Sequence, residues 1–402
     1  MNFYASVVGE TEPDQEVHWQ RFSVPFEYPV AFSHGIFTTS NPVLAELIAR
    51  AEPHRRHRCL FVVDEGVLGA VPRLEERIEE WCRANDRRIE LAAKIIPIRG
   101  GEAAKADTAH LTAIEEAILA HGIDRHSCVI AVGGGAVLDV VGLAAATAHR
   151  GVRHIRVPTT VLSQNDSGVG VKNAVNLKGV KNFIGTFAPP WAVVNDSEFR
   201  EHLPRRERIA GIAEAVKVAL IRDRAFFQWI EANATRLTAF DRSAEEYMIR
   251  HCAKLHMKQI ADGGDPFERG SARPLDFGHW SAHKLESLSG HAVNHGEAVA
   301  IGIALDARYS VLAGLLPEGE EERIATLLER LGFRVYHPAL ERPGKGGRPA
   351  VLAGLDEFRQ HLGGELTITL LSALGVGVDV HRMDADLVCS ALEWLGRREA
   401  MR

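Results

Sequence analysis

Three histidines and one glutamate have the types and spacing that could hold a metal ion. The run Asp276-Phe-Gly-His279 continues as Trp280-Ser-Ala-His283, and Asn294-His295-Gly-Glu297 follows shortly after. His279 and His283 are four positions apart, which on a helix is one turn along a single face. His295 opens a second helical stretch. Neutral imidazoles with one carboxylate suit zinc, and three protein ligands leave coordination positions open for a substrate. Spacing alone leaves His283 open as a ligand or as an acid/base group. The carboxylate would come from Ala210-Gly-Ile-Ala-Glu214-Ala-Val-Lys217, where Glu214 stands in an otherwise apolar stretch. The plainer alternatives are a structural Glu214–Lys217 helix pair and ordinary core or surface histidines, of which the chain has 19 in all.

A second signal is Ala131-Val-Gly133-Gly134-Gly135-Ala-Val-Leu-Asp139. Three glycines between an apolar strand and a helix let the backbone approach a pyrophosphate, whose charge the helix N-terminus favours. The spacing is not G-x-G-x-x-G, and a tight strand-to-helix turn is the bland alternative. Two weaker cues accompany it. Asp64 ends a strand, where a carboxylate can meet a ribose or adenine edge, and Gly100-Gly-Glu102 with Lys105 forms another strand-end loop.

The third signal lies in Pro158-Thr159-Thr160, then Asn165-Asp166-Ser-Gly-Val-Gly-Val-Lys172, Asn176 and Lys181-Asn182. Only ten of the 47 lysines and arginines are lysines, so a surface cation in this chain is usually Arg. Lys172, Lys178 and Lys181 nevertheless fall within ten positions of a Gly- and Asn-rich segment. An ammonium can anchor phosphate as a point charge, or shift its pKa when buried. A solvated basic loop is the alternative.

These residues need elements to hold them. Residues 59–200 alternate short apolar runs (Cys59–Val63, Ile95–Ile98, Cys128–Val132, Val152–Val157) with helical patterns (Pro72–Cys82, Asp107–Ala120, Ala136–Ala148). Strands apolar on both faces predict a parallel sheet covered on each side. The prolines of Phe22–Val30 restrict any strand there to an edge. Beyond about Asp196 helical patterns dominate: Pro204–Ile221, Ala244–Ile260, His279–Leu288, Gly296–Leu312 and Glu320–Leu331. Arg342–Pro349 reads as a loop and Leu366–Leu371 as one late strand. The expected fold class is therefore an α/β domain over 1–196 and a mostly helical domain over 197–402, consistent with 402 residues exceeding one ordinary core.

A formal net charge of -6 argues against nucleic acid or an anionic membrane as the main partner. Five scattered cysteines without a CxxC pair point to a reducing compartment. Met1–Ser6 lacks a signal-peptide layout, and no apolar run approaches spanning length, so the expected location is the cytoplasm.

Taken together, these motifs resemble the dehydroquinate synthase family of sugar phosphate cyclases over nearly the whole chain. The resemblance implies an NAD site at Gly133, Gly134, Gly135, Asp139, Thr159 and Thr160, with Asp64, Glu102, Lys105 and Lys181 as further contacts. It implies substrate binding by Arg150, Asp166, Lys172, Asn182, Lys217, Lys258, Asp276 and His283. Of these, His283, Lys172, Lys217, Lys258 and Asp166 would also take part in catalysis. Zinc, or cobalt in its place, would be held by Glu214, His279 and His295. Family chemistry is a transient oxidation by NAD⁺, β-elimination of phosphate, return of the hydride and intramolecular aldol closure to a carbocycle. Members are commonly homodimers.

Some positions depart from the dehydroquinate-forming pattern. Leu275-Asp276 stands where Leu-Asn is usual, an expected arginine falls on Ala272 with Arg273 one place off, and the C-terminal Asp-Lys-Lys is missing near Glu357-Phe-Arg359. A carboxylate-bearing heptulosonate sits less well beside Asp276 than a neutral heptulose phosphate. The run Asp276–Glu286 looks like the branch found in Ebo-type gene clusters. Two other readings are a metal- and NAD-dependent polyol or alcohol dehydrogenase of the same two-domain plan, and a degenerate, non-catalytic cyclase.

Overall fold

The computed structural model of the chain describes residues 18–106, 108–178, 180–268, 274–361 and 364–401. Met1–Ser6, Asp107 and the Ala272–Arg273 pair lie outside the described residues. Among the described residues nine strands precede residue 197: β1 (Val30–Ser33), β2 (His57–Asp64), β3 (Ile89–Leu91), β4 (Ile96–Ile98), β5 (Cys128–Gly133), β6 (Arg153–Pro158), β7 (Lys172–Leu177), β8 (Val180–Phe187) and β9 (Ala192–Asp196). Seven of them form one sheet in the order β1-β9-β6-β5-β2-β3, with β4 also pairing β2, and every pairing is parallel. The apolar runs of β2 and β5 are buried throughout their middles because helices cover both faces, as expected for parallel strands. One face packs on Ile48, Ile78 and Trp81, the other on Ile114, Val137 and Val141.

Register brings the functional strand ends together. Asp64 is opposite Ile98, Val63 opposite Val132, and Gly133 opposite Pro158. Asp64, the loop after Ile98, the Gly133–Gly135 turn and Thr159–Thr160 therefore line the carboxyl edge of the sheet, where open α/β sheets bind ligands.

From Glu198 onward the chain is mostly helical and shares one large core, with Phe227, Phe277, Trp280 and Leu305 fully or almost fully buried. Two stretches differ from expectation. The Pro204–Ile221 pattern is two helices, Arg205–Ala210 and Ile212–Arg222, broken at Gly211. There a Cβ would lie 2.5 Å from the Leu162 backbone nitrogen, so this close contact requires glycine. The late strand is a hairpin of β10 (Ile368–Ala373) and β11 (Val376–Val380), turned at Gly375 with φ +84°. Helices Arg224–Thr238 and Ala385–Ala400 carry no chemical motif and were not expected.

Buried polar side chains join the two halves. Asn165 donates to the Gly211 carbonyl at 2.8 Å, and Gln164 accepts from Arg200 at 2.8 Å while donating to the Asp196 carbonyl at 2.8 Å. Among the described residues no helix is long and apolar enough to cross a membrane.

Candidate metal and dinucleotide site

Glu214, His279 and His295 come from three helices: Ile212–Arg222, His279–Leu288 and His295–Leu312. Close packing sets their approach. At Gly302 a Cβ would sit 2.0 Å from the Gly278 carbonyl oxygen, and at Gly296 it would sit 2.1 Å from the Ala210 carbonyl oxygen. These small residues let helix His295–Leu312 lie against the backbone that precedes Glu214 and His279. Asn294 caps that helix through a reciprocal box with Glu297, which fixes His295 at its first turn. Asp306 accepts from the Gly278 N–H at 3.1 Å and from the Trp280 indole at 2.9 Å, bracketing His279.

The donor atoms converge. His295 Nε2 and His279 Nε2 lie 3.4 Å and 3.7 Å from Glu214 Oε1, and the three ligand atoms are within 4.8 Å of one another. Each ring is oriented from its outer nitrogen. His279 Nδ1 is 3.1 Å from the Phe277 carbonyl oxygen, and His295 Nδ1 is 3.0 Å from Glu286 Oε1. An Nδ1–H donating there leaves the Nε2 lone pair facing Glu214, the arrangement that metal-binding histidines use. Both Glu214 oxygens are buried without a hydrogen-bond partner among the described residues, although Lys217 forms an ion pair with one of them. A buried carboxylate oxygen facing two oriented imidazoles fits a divalent cation of zinc type. His283, Glu286 and His295 also approach one another, but both Glu286 oxygens are already engaged.

Charge explains how this cluster is held. Burial is the largest influence on the Glu214 carboxyl and raises it, yet Lys217, His295 and His279 together outweigh it and bring the pKa to about 2. Burial opposes charge on Lys217 too, and Asp166 with Glu214 holds it protonated, above its ordinary value. Burial and the Lys217 cation lower His279 to about 4, while burial and the neighbouring imidazoles lower His283 to about 3. Burial also works against charge on His295, but without a cation its two flanking carboxylates raise it to about 10, and a metal ion at Nε2 would displace that proton. Asp166 is pushed up by burial and brought well below the carboxylate range by Lys217 and His256.

The dinucleotide side is equally connected. Asp64 accepts from the Gly66 N–H at 2.8 Å, and burial raises its carboxyl. A Cβ at Gly100 would collide with Asp64 at 2.2 Å, and one at Gly135 with Ser167 Oγ at 2.7 Å. Lys105 donates to Asp139 at 2.7 Å and to Asn182 at 2.5 Å, and Asn176 links to Glu102 at 2.9 Å. Thr160 caps the short helix Val161–Asn165, and Thr159 is buried with its N–H on the Gly133 carbonyl. The segment Asp166–Ser167 thus joins the Gly135 turn to the Lys217–Glu214 pair. The segment after Lys172, for which a solvated loop was the alternative reading, is an antiparallel β7–β8 hairpin, turning at Lys178 with φ +48° and bringing Asn182 to Lys105 and Lys181 to Glu286. Lys172 pairs with Glu268 at 2.6 Å, and Lys181 with Glu286 at 2.6 Å.

Two expected residues are not brought to this cluster. Arg150 is exposed and precedes β6, because helix Gly135–Thr147 carries the chain back to the amino edge of the sheet. Lys258 is exposed on helix Arg242–Asp262; His256, two residues and about 200° around the helix, is the one that reaches Asp166, at 2.5 Å. Asp276 is partly buried and within electrostatic reach of Lys217. Sequence reading missed His256, Glu286 and Arg156. Arg156 is 0% exposed and donates to the carbonyls of Gly168, Gly170 and Lys172 at 3.2, 2.8 and 2.9 Å, and to Asn173 Oδ1 at 2.7 Å. A guanidinium inside the apolar run Val152–Val157 was the available clue. For Glu286 it was a position seven residues after His279, two turns along the same face.

Comparison with known proteins matches residues 95–210 to the 3-dehydroquinate synthase N-terminal family model and residues 211–344 to its C-terminal counterpart. A 2-epi-5-epi-valiolone synthase of Streptomyces glaucescens is 34% identical over 379 residues, covering 92% of this chain and 92% of the relative. A 3-dehydroquinate synthase of Pelobacter propionicus is 36% identical over 296 residues, covering 72% of this chain and 81% of the relative. The solved structure of ValA, a 2-epi-5-epi-valiolone synthase from Streptomyces hygroscopicus subsp. jinggangensis with NAD⁺ and Zn²⁺ bound, superposes with a TM-score of 0.83. It is 27% identical, and the match spans 94% of this chain and 100% of that one.

Proposed function

Since the chain is a sugar phosphate cyclase belonging to the 3-dehydroquinate synthase family, we propose that it converts a neutral heptulose 7-phosphate into a carbocycle, using NAD⁺ and zinc. The observation that carries this reading is the convergence of Glu214, His279 and His295, which the Asp166–Ser167 segment joins to the Gly135 turn. When bound, NAD⁺ supplies a reversible hydride acceptor, and zinc supplies a Lewis acid for neighbouring hydroxyls. Asp64, Glu102, Lys105, Asp139, the Gly133–Gly135 turn and Thr159–Thr160 are suited to the dinucleotide. Lys181 and Asn182, beside the turn of the β7–β8 hairpin, and Lys172 at the start of its first strand are suited to the phosphate.

Lys217, Asp166 and Asp276 would hold the sugar hydroxyls, and His283, neutral at physiological pH, can take or give a proton at a substrate oxygen. Asp276 supports a neutral substrate end, because a substrate carboxylate brought beside it adds a second negative charge near a single lysine, Lys217. The likeness to valiolone synthases over 92% of the chain favours the same choice. We also propose a domain boundary after Asp196, where the last sheet strand ends, a cytoplasmic setting supported by five free cysteines, and a homodimer as in other family members.

Incubation with heptulose and heptulosonate 7-phosphates, NAD⁺ and zinc tests the proposal. Expected are phosphate release and a cyclised product from the neutral sugar, with no net NADH. Net NADH without phosphate release would replace the cyclase with an alcohol dehydrogenase. Turnover of the heptulosonate alone would overturn the role given to Asp276.

A further inference from the structure

Glu286 spends both carboxylate oxygens on groups from opposite sides of the site. It lies two turns along helix His279–Leu288 from His279 and is 5% exposed. Oε1 faces His295 Nδ1 at 3.0 Å, and Oε2 accepts from the Lys181 ammonium at 2.6 Å. His295 is a proposed metal ligand, whereas Lys181 arrives on β8, from the sheet half of the molecule. We propose that Glu286 is a positioning residue that sets the strength of the metal site and the placement of the phosphate-facing lysine together. The inference rests on the metal site proposed above.

The physical case has two parts. Accepting the Nδ1–H of His295 fixes the tautomer whose Nε2 lone pair faces Glu214, and a charged acceptor makes that nitrogen a stronger donor than a neutral one would. Lys181 draws on the same carboxylate. Its ammonium therefore moderates the pull on His295, and Glu286 in turn keeps a long, flexible side chain over the crevice instead of in water. The two partners share one negative charge, so what reaches Lys181 is felt at His295. When an anionic group takes up the lysine, Glu286 is freed to act more strongly on the imidazole, and phosphate and metal binding become mutually favourable.

The test is a zinc titration of chelator-treated protein followed by calorimetry, with KM for the accepted sugar phosphate measured on the zinc-loaded enzyme. Glu286→Gln should bind zinc on the order of tenfold more weakly and raise KM. Lys181→Met should raise KM while leaving zinc affinity at or above that of the natural chain, and the double variant should bind zinc like Glu286→Gln alone. A merely structural Glu286 would not divide the two readouts in this way. Zinc affinity within twofold of the natural chain in Glu286→Gln overturns the inference, as does weakened zinc binding in Lys181→Met, which remains measurable if Glu286→Gln fails to fold. Glu214→Ala separates the two levels of the argument. If it loses zinc while Glu286→Gln keeps it, only the role of Glu286 falls; if it binds zinc normally, the metal site falls too.

Discussion

Replacing Lys217 by Met probes the charge balance on which the site stands. Lys217 is 2% exposed, forms an ion pair with Glu214, and lies within electrostatic reach of Asp166 and Asp276. Met preserves most of the volume and removes the cation, so two buried carboxylates lose their shared counter-charge. Removing one partner of a buried pair costs about 3–5 kcal/mol, a folding constant lower by roughly two to three and a half decades. The deficit belongs to the ionised carboxylates and has a definite pH sign. In the variant their folded pKa values rise above the unfolded values near 4, so the folded form binds more protons. Stability then falls as pH rises above about 4, and the gap to the natural chain narrows toward acid. Zinc should close it as well, since a divalent cation beside Glu214 replaces the missing charge. At a hundredfold excess over Kd, zinc adds about 2.7 kcal/mol to either protein, and the variant should reach that excess at lower zinc concentration because no ammonium repels the ion. Urea unfolding of chelator-treated protein at pH 5 and pH 8, with and without zinc, measures all of this. A metal-free variant as stable as the natural chain at pH 8 would refute the charge argument, and so would weaker zinc binding.

Glu214→Ala and His279→Ala should each lose bound zinc and turnover together, read by elemental analysis and phosphate release; full activity in either rules out the site. Gly302→Ala pushes a methyl into the Gly278 carbonyl and should cost about 1–3 kcal/mol, with weaker zinc binding because His279 follows Gly278 directly. Asp276→Asn should shift the ratio of kcat/KM values toward a heptulosonate 7-phosphate, and an unchanged ratio removes Asp276 from specificity. Burial raises Asp306 to about 7, above its unfolded value near 4. Its contribution is therefore present below pH 4 and lost between there and about 7. Asp306→Asn should reduce the fall in stability of the natural chain across that window in denaturant titrations, and an identical pH slope would contradict the buried-acid reading.

The sheet was legible because parallel strands buried on both faces leave unbroken apolar runs, and β2, β5 and β6 begin and end within two residues of those runs. The convergence of Glu214, His279 and His295 was legible for a different reason, since histidines and glutamates in apolar surroundings are conspicuous. What escaped was decided by tertiary geometry. The β7–β8 hairpin has too many asparagines to advertise a strand, and its pairing is carried by backbone hydrogen bonds that no composition reveals. His256 and Lys258 differ by two positions, a shift that reverses the direction of a helical side chain, and the family pattern pointed to the lysine. Arg150 belongs to the same motif run as the glycine turn, but the thirteen-residue helix between them carries it to the far edge of the sheet.

Arg156 bears on how a ligand would be received. Its guanidinium stays charged even when wholly enclosed, and it binds three carbonyls and an amide oxygen of the turn that carries Lys172. That stretch has surrendered its conformational entropy during folding, so a sugar phosphate arriving there orders only itself and the tips of a few long side chains. Affinity gained in this way comes with rigidity. On the proposed function, a substrate of different length or stereochemistry would meet a backbone that does not adjust, and altered selectivity would be sought at Asp276 or Lys181 before remodelling the turn.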